Sequence, residues 1–390
     1  ASSIKASITM AITALANQLK KEGKPVIGMS AGEPDFDTPD LIKEAGIQSI
    51  KDGKTKYTPA AGVAELKNAI CKKFKEDNNL EYSPEEVIVS CGGKHSLFNA
   101  KMAILNPGDE VIIPTPYWVS YPAQVEVLGG KSVFIEAKEE NNLKVTAEQL
   151  EAAISPKTKL FILNSPSNPT GMVYTKEELI ALKDVILKHN IYVISDELYE
   201  KLIYDGEHIS IAQLGEDIKA KTILVNGVSK AYSMTGWRIG YTAGPKEIIS
   251  AMSKIQSHST SNPAQASQWA SIEAILGSQE AAKTMKEAFA TRRKVMVNGL
   301  NNIDGIRCLE PLGALYAFPN IASTFGKKAK EGQITDSVSF CEHLLKEQLV
   351  ACVPGSGFGA EGFIRMSYAT SEEAINTALE RIEIFIKSLK

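Results

Sequence analysis

The sequence predicts an α/β protein: a large domain with a mainly parallel, mixed sheet of seven strands covered by helices, and a smaller α+β domain. Short apolar runs alternate with helical stretches between about residues 64 and 245. Runs that are apolar on both faces are typical of buried parallel strands. The rest of the chain is mostly helical. The length of 390 residues leaves room for two or three domains, at about 150 residues each.

Each predicted element has its own signal. The apolar runs that we interpret as strands are 87–89, 111–113, 133–135, 160–163, 192–194, 223–225 and 239–241. Helical stretches are predicted at 40–51, 64–76, 95–105, 147–153 and 176–189. For the smaller domain we predict one long helical region over 263–301, helices near 336–348 and 371–388, and short strand-like runs at 25–29, 313–318 and 363–367.

The first helix and the domain boundaries are also predicted. Apolar residues recur at helical spacing from Ile8 to Leu19, and Gly23 follows as a stop signal. This segment could be misread as a signal peptide, but threonines interrupt its apolar core. Because the N-terminal segment could pack with the C-terminal lobe, we predict a large domain at 40–285 and a discontinuous small domain at 1–39 and 286–390.

Composition excludes several classes of protein. With 43 basic and 46 acidic residues the formal charge is −3, which argues against a general nucleic-acid binder and against an acidic disordered chain. The five cysteines are scattered and the five histidines form no metal-binding motif, so we expect neither a disulfide framework nor a metal site. No apolar run is long enough to span a bilayer. A cytoplasmic protein without membrane or nucleic-acid partners is therefore the expectation.

In folds of this class, functional residues are expected in the loops that follow the strands. Ligands bind at the carboxyl ends of parallel strands. After the strand at 87–89, Gly92 and Gly93 expose backbone N–H groups at the start of a helix, which suits a phosphate. Glycine is also common in ordinary strand–helix turns, so this signal alone leaves both interpretations open.

Three further strand ends carry polar side chains. Asn168 lies in a proline-rich loop after 160–163, in which cis peptide bonds are an option. Asp196 directly follows a buried strand, where a carboxylate is costly unless it is paired. Lys230 lies in the loop after 223–225, where burial would activate it as a nucleophile, and Arg238 follows with a guanidinium suited to an anion. A phosphate cradle, a carboxylate and a reactive lysine together are what pyridoxal phosphate requires, because the lysine forms a Schiff base and the carboxylate keeps the pyridine nitrogen protonated.

The motifs that carry a family resemblance extend over essentially the whole chain. They are AGEPDFDTP (31–39), YTPAAG (57–62), GGK (92–94), PYWVSYP (116–122), NSPSNPTG (164–171), SDELYE (195–200) and SKAYSMTGWRIGY (229–241). With them the sequence resembles the class I pyridoxal-phosphate aminotransferases of fold type I, and within these the prokaryotic-type aspartate aminotransferase subgroup.

The resemblance implies catalytic roles. Lys230 resembles the lysine that binds the cofactor covalently and later moves a proton on the substrate. Asp196 resembles the carboxylate paired with the pyridinium nitrogen. Tyr199 and Asn168 match groups that hydrogen-bond the cofactor 3′-oxygen, and Asn168 also faces the substrate.

The resemblance also implies a phosphate site. Arg238, with the backbone around Gly92 and Gly93 and with Ser229, would hold the phosphate. Tyr57 matches a tyrosine that reaches the phosphate from the neighbouring subunit, which implies a homodimer with shared active sites. One departure is that no hydroxyl residue stands three positions before the lysine, where some relatives have a phosphate-binding serine.

Substrate contacts follow from the same comparison. Arg365 resembles the arginine that clamps the substrate α-carboxylate, and the Gly32 backbone would add a hydrogen bond. Lys94 matches the lysine that meets the distal carboxylate of dicarboxylic substrates. Trp118 matches the ring that stacks on the cofactor, and Thr9 would face the substrate from the N-terminal segment.

These correspondences imply transfer of the amino group between L-aspartate or L-glutamate and 2-oxoglutarate or oxaloacetate, in amino-acid metabolism. Prephenate as amino acceptor is an alternative, because it also carries two carboxylates. An alanine, aromatic or kynurenine aminotransferase fits less well because of Lys94, and a β-elimination lyase shares the fold and cofactor. A cofactor-sensing regulator would need a DNA-binding domain, and no basic helix-turn-helix precedes the motifs.

Overall fold

The computed structural model describes residues 8–330 and 332–390, with side chains from Ile12 onward. The helices are α1 (Ile8–Lys21), α2 (Asp40–Lys51), α3 (Ala64–Asn78), α4 (Gly93–Ile104), α5 (Ser120–Val127), α6 (Ala147–Ala153), α7 (Lys176–Lys188), α8 (Glu216–Lys219), α9 (Lys246–Ser257), α10 (Gln265–Leu276), α11 (Glu280–Asn301), α12 (Ser337–Gln348) and α13 (Glu372–Ser388). The strands are β1 (Ile27–Gly28), β2 (Val87–Ser90), β3 (Glu110–Thr115), β4 (Lys131–Glu136), β5 (Thr158–Asn164), β6 (Tyr192–Asp196), β7 (Thr222–Gly227), β8 (Gly240–Ala243), β9 (Tyr316–Ala317), β10 (Val350–Ala351), β11 (Val353–Pro354) and β12 (Ile364–Ser367).

The central sheet has seven strands in the order β2-β8-β7-β6-β5-β3-β4. The pairs from β7 to β4 are parallel, and β8 runs antiparallel to both of its neighbours. Strands β2 and β7 are buried along their whole length, as expected for a sheet covered on both faces. The predicted α/β class with a mixed, mainly parallel sheet is confirmed.

Local sequence signals explain how the covering helices begin. Helix α7 follows Thr175, whose hydroxyl accepts a hydrogen bond from the backbone N–H of Glu178 at 3.3 Å. The Glu178 carboxylate in turn accepts from the Thr175 N–H at 2.8 Å, which completes a capping box. Leu179, Leu182 and Ile186 then recur at helical spacing and are buried against the sheet.

A second hydrophobic core contains side chains from both ends of the chain. Ile12 of α1 and Met29 share it with residues of α11, α12 and α13. Strand β1 pairs in parallel with β10, and a separate antiparallel sheet has the order β11-β12-β9. These contacts agree with a small lobe assembled from both chain ends, whereas the boundaries at 39/40 and 285/286 stay a prediction.

Several element boundaries differ from the prediction. The long helical region predicted over 263–301 consists of two helices: α10 ends before Gly277, whose N–H still bonds to the Glu273 carbonyl at 2.8 Å, and α11 starts separately at Glu280. Helix α4 begins at Gly93 rather than at 95. As a result Lys94 lies in the first helical turn and not in a loop.

Within residues 8–330 and 332–390, no helix combines the length and the apolar character that crossing a bilayer requires. The cellular location of the chain stays a prediction.

Candidate active site

One cavity of about 310 Å³ opens at the carboxyl ends of β5, β6 and β7. Most of the residues predicted from the sequence line it, namely Gly32, Gly93, Lys94, Trp118, Asn168, Asp196, Tyr199, Lys230 and Arg365. The parallel strands explain this convergence, because Asn164 ends β5 and Asp196 ends β6 in register with it.

Lys230 follows β7 by three residues and its Nζ reaches into the cavity. The ammonium donates a hydrogen bond to the carbonyl oxygen of Gly32 and lies 5.9 Å from the centroid of the Tyr199 ring. Lys230 is half-buried. Its amine is therefore positioned on the cavity wall, with contacts to groups from two distant parts of the chain.

Asp196 is buried at the end of β6 and its carboxylate is bound to Tyr121. The Tyr121 hydroxyl donates to Oδ2 at 2.6 Å, and the Leu198 N–H donates weakly to Oδ1 at 3.4 Å. Burial raises the pKa of Asp196, although the Tyr121 hydrogen bond and the charge of Lys101 oppose that effect. A buried carboxylate that lines a cavity is suited to a cationic or N–H-bearing ligand.

The turn between β2 and α4 leaves no room for a side chain. Gly92 has a φ of +91°, and a Cβ built there would lie 2.4 Å from Nη2 of Arg238. The Arg238 guanidinium therefore lies directly against the backbone that begins α4, with Nη1 donating to the Thr235 carbonyl at 2.7 Å. A helix N-terminus and a guanidinium at the same place suit a phosphate.

Arg365 on β12 is buried and oriented by two hydrogen bonds. Nη1 donates to Oδ1 of Asn168 at 3.0 Å and Nη2 to the Ser30 carbonyl at 3.0 Å. The guanidinium carbon lies 4.4 Å from the centroid of the Tyr316 ring, and Nε has no hydrogen-bond partner among the described residues. This fixed cation has only neutral partners there, so it can receive a carboxylate from the cavity.

Tyr199 bonds to a second tyrosine instead of a charged group. Its hydroxyl lies 2.8 Å from that of Tyr316, and burial raises its pKa well above the ordinary value. The phenol is therefore a hydrogen-bond donor in the neutral state.

Lys94 and Trp118 form the wall nearest the start of α4. The Lys94 Nζ lies 5.0 Å from the centroid of the Trp118 ring. Burial lowers the pKa of Lys94, and the charge of Arg238 lowers it further. Lys94 thus supplies a second cation to the cavity, distinct from Arg365.

Some predicted site residues lie elsewhere. Gly92, Ser229 and Arg238 do not line the cavity, although Gly92 and Arg238 touch beside it. Tyr57 is 90% exposed and lines a different surface pocket. Thr9 is within α1, but its side chain falls outside the described residues.

Sequence reasoning missed other cavity residues. Tyr121 is part of the PYWVSYP motif and was not singled out, and Tyr316 belongs to a short strand that carried no functional signal. Ser30 and Phe358 also line the cavity, and Thr13 of α1 lines it where Thr9 was expected. Tyr121 could have been found from its motif, whereas Tyr316, Ser30 and Phe358 are aromatic or hydroxyl residues that give no signal in a single sequence.

A cluster of Glu197, Glu200 and His208 lies behind the strand end, with ligand atoms within 4.8 Å of one another. Its charges are already compensated by protein groups. Lys73 forms an ion pair with Glu200, and His208 Nε2 lies 2.7 Å from Glu197 Oε2. We therefore interpret this cluster as a buried ion-pair network that supports the loop after β6.

Comparison with known proteins identifies the family. The sequence profile described as "Aminotransferase class I and II" matches residues 24–382. The chain therefore belongs to the class I and II aminotransferases, and the prediction of an aminotransferase is confirmed.

Individual relatives are similar over nearly their whole length. An aspartate aminotransferase from Bacillus sp. (strain YM-2) is 53% identical over 382 residues, covering 98% of this chain and 96% of that protein. An aspartate/prephenate aminotransferase from Cereibacter sphaeroides is 50% identical over 389 residues, covering 99% of this chain and 97% of that protein. The crystal structure of the aspartate aminotransferase from Rhizobium meliloti matches with a TM-score of 0.97 at 48% identity, covering 100% of this chain and 98% of that chain.

Proposed function

We propose that this chain is a pyridoxal-phosphate-dependent aspartate aminotransferase, which moves the amino group reversibly between L-aspartate or L-glutamate and 2-oxoglutarate or oxaloacetate. The observation that carries the proposal is that one cavity combines the amine of Lys230 and the carboxylate of Asp196 with two further cations, Lys94 and Arg365. The names of the relatives at about half identity support the same activity.

The residues present fit the cofactor. Asp196 is a buried carboxylate without a cation among its hydrogen-bond partners, so it suits a protonated ring nitrogen. The turn at Gly92 has no room for a side chain because the Arg238 guanidinium lies against it, and a guanidinium beside the N-terminus of α4 suits the phosphate. Trp118 would stack on the ring, and Tyr199 and Asn168 would donate to the ring oxygen. Ser229 and Gly93 would complete the phosphate site.

The chain's own groups carry out the steps around the reacting carbon. When bound, the cofactor supplies an aldehyde for covalent attachment and an electron-accepting ring. Lys230, the attachment point, would afterwards act as the base that removes and returns the proton at the substrate α-carbon. Asp196 would keep the ring nitrogen charged, and Arg365 would hold the α-carboxylate so that this proton faces Lys230.

Two cations in the cavity account for a dicarboxylic substrate. Arg365 is fixed by Asn168 and Ser30 and offers its guanidinium to the α-carboxylate. Lys94 lies beside Trp118 and would meet the distal carboxylate. Gly32 would donate its backbone N–H to the α-carboxylate, and α1, with Thr9 and Thr13, would cover the substrate when the small lobe closes.

We propose in addition that the chain forms a homodimer with shared active sites. The exposed Tyr57 shares its surface pocket with Lys54 and with residues of the 260–266 segment. An aromatic side chain with 90% exposure has little to hold it in a monomer. Tyr57 would reach the phosphate of the partner's site, so Tyr57→Phe should weaken cofactor binding, and light scattering should give the mass of two chains. A monomer that keeps full activity would contradict this proposal.

The cofactor assignment is tested by absorbance and by one substitution. The purified chain with pyridoxal phosphate should show a visible absorbance band that titrates with pH, and borohydride reduction should fix the cofactor on Lys230. Lys230→Ala should lose both the band and the fixation. A variant that keeps the band would refute the role of Lys230, whereas a peptide labelled elsewhere would identify a different lysine.

Prephenate is the second candidate acceptor, because one relative is named an aspartate/prephenate aminotransferase and prephenate also offers two carboxylates to Lys94 and Arg365. Steady-state assays of aspartate with 2-oxoglutarate beside glutamate with prephenate distinguish the two acceptors. Turnover of neither pair would overturn the substrate assignment.

A further inference from the structure

A buried lysine lies behind the cavity and no role has yet been assigned to it. Lys101 of α4 has no exposed surface. Lysine is rarely buried to this degree unless it is paired, because its ammonium must leave water. Burial accordingly lowers the pKa of Lys101 to about 7, so the side chain changes charge near neutral pH.

The hydrogen-bond partners of Lys101 are neutral. Its Nζ donates to Oε1 of Gln124 at 2.8 Å and weakly to the carbonyl of Leu97 at 3.5 Å. The same Nζ lies 5.3 Å from the centroid of the Tyr121 ring, within cation–π distance. Helix α5 therefore supplies both the acceptor and the aromatic ring that hold the ammonium.

These two partners connect Lys101 to the site. The hydroxyl of Tyr121 donates to Asp196 at 2.6 Å, and Nε2 of Gln124 donates to the backbone carbonyl of Lys94 at 3.0 Å. Lys101 thus lies behind the tyrosine that binds the Asp196 carboxylate and behind the first turn of α4.

Lys101 is the cation whose charge opposes the effect of burial on the pKa of Asp196. Burial raises the pKa of Asp196, and the charge of Lys101 lowers it. Glu197 acts in the opposite direction, but it is itself bound to His208, Ser195 and Ser210. Tyr121 and Tyr199 also face Asp196, and burial keeps both phenols neutral.

We propose that Lys101 is a positioning residue: its ammonium, held by Gln124 against the Tyr121 ring, keeps the Asp196 carboxylate ionised and aimed into the cavity. The inference rests on the proposed cofactor, whose ring nitrogen Asp196 would meet. Because Lys101 loses its charge above neutral pH, its support of Asp196 is present in acid solution and fades in alkaline solution.

The test measures binding of pyridoxal phosphate rather than turnover. Equilibrium dialysis of the cofactor-free full chain gives the dissociation constant from about pH 6 to about pH 9, a range that spans the titration of Lys101. Lys101→Met should move the acid limb of the binding curve upward by about one pH unit, so that binding on that limb weakens by up to about tenfold. The two curves should meet at the alkaline end, since the wild-type Lys101 is neutral there.

Lys144→Met is the matched control. Lys144 is also buried, and its Nζ lies 5.7 Å from the centroid of the Tyr174 ring, but it pairs with Glu178 at 2.6 Å. Loss of this lysine should lower stability without changing the shape of the binding curve. A Lys101→Met curve that coincides with wild type, or that is displaced equally at every pH, would overturn the proposal, because a purely structural role predicts a constant offset.

Gln124→Leu keeps the inference testable if Lys101→Met does not fold. It removes the acceptor of the ammonium, so Lys101 should stay neutral to lower pH and the acid limb should weaken as in Lys101→Met. An unchanged acid limb in this variant would also overturn the proposal. If the wild-type chain binds no pyridoxal phosphate at any pH, the proposed function fails. If the wild type binds it and both variants bind it equally well at every pH, only the role of Lys101 fails.

Discussion

If Lys94 binds the distal carboxylate of the substrate, Lys94→Met should lower kcat/KM for L-aspartate but not for L-alanine. A hydrogen bond between charged groups contributes about 1.5–3 kcal/mol. Lys94 is exposed, so we take the lower end, about 1.5 kcal/mol, which corresponds to about a tenfold loss. Methionine keeps most of the side-chain volume beside Trp118 and removes only the charge.

The assay compares both amino acids with the same oxo acid in wild type, Lys94→Met and Arg365→Lys. The arginine variant should slow aspartate and alanine together, since both carry the α-carboxylate. Because burial and Arg238 lower the pKa of Lys94, the aspartate preference of the wild type should decline as the pH rises through that pKa, and the variant should lack this decline. Equal losses for both substrates in Lys94→Met, or no loss for aspartate, would show that Lys94 does not bind the distal carboxylate.

Two further predictions concern the supports of the site. Gly92→Ala should weaken cofactor binding roughly tenfold and cost about 1–3 kcal/mol of stability, because its Cβ meets Arg238 at 2.4 Å at a φ of +91°. Gly23→Ala is the control, because Gly23 has a φ of +79° but nothing lies within 4 Å of its Cβ position. This variant should lose stability in urea unfolding through backbone strain and should bind the cofactor normally in dialysis. Glu200→Gln should cost about 3 kcal/mol, because buried Lys73 loses its nearer anion and keeps only Asp77, at 3.7 Å. Burial raises the pKa of Glu200, but the charge of Lys73 outweighs burial and brings that pKa to about 2, below the ordinary 4.5. The free energy of unfolding of the wild type should therefore fall as the pH drops from about 4.5 to about 2. Urea titrations of Glu200→Gln should lack that fall.

The sheet and the polar groups at its edge were predictable because the physics there is local. Runs apolar on both faces are compatible with few structures other than buried parallel strands, and parallel strands bring their carboxyl ends together. Asn168, Asp196 and Lys230 could therefore be assigned to one site before any geometry was known.

The remaining parts depend on contacts that one sequence does not reveal. Lys101 has the spacing of any helical lysine, and only the packing of α5 against α4 shows that it is buried. Tyr316 contacts Tyr199 and Arg365 from a two-residue strand that has no periodicity to detect. The break at Gly277 was missed because the residues before it and those from Gln279 onward favour helix, and the turn signal is only Gly277 and Ser278.

Isotope labelling follows the transferred amino group directly. L-Aspartate labelled with ¹⁵N is mixed with the cofactor-loaded chain in the absence of any oxo acid, and 2-oxoglutarate is added afterwards. We predict one oxaloacetate per active site in the first step, no free ammonia, and the label in L-glutamate after the second step. Release of labelled ammonia, or absence of oxaloacetate in the first step, would contradict the assignment of an aspartate aminotransferase.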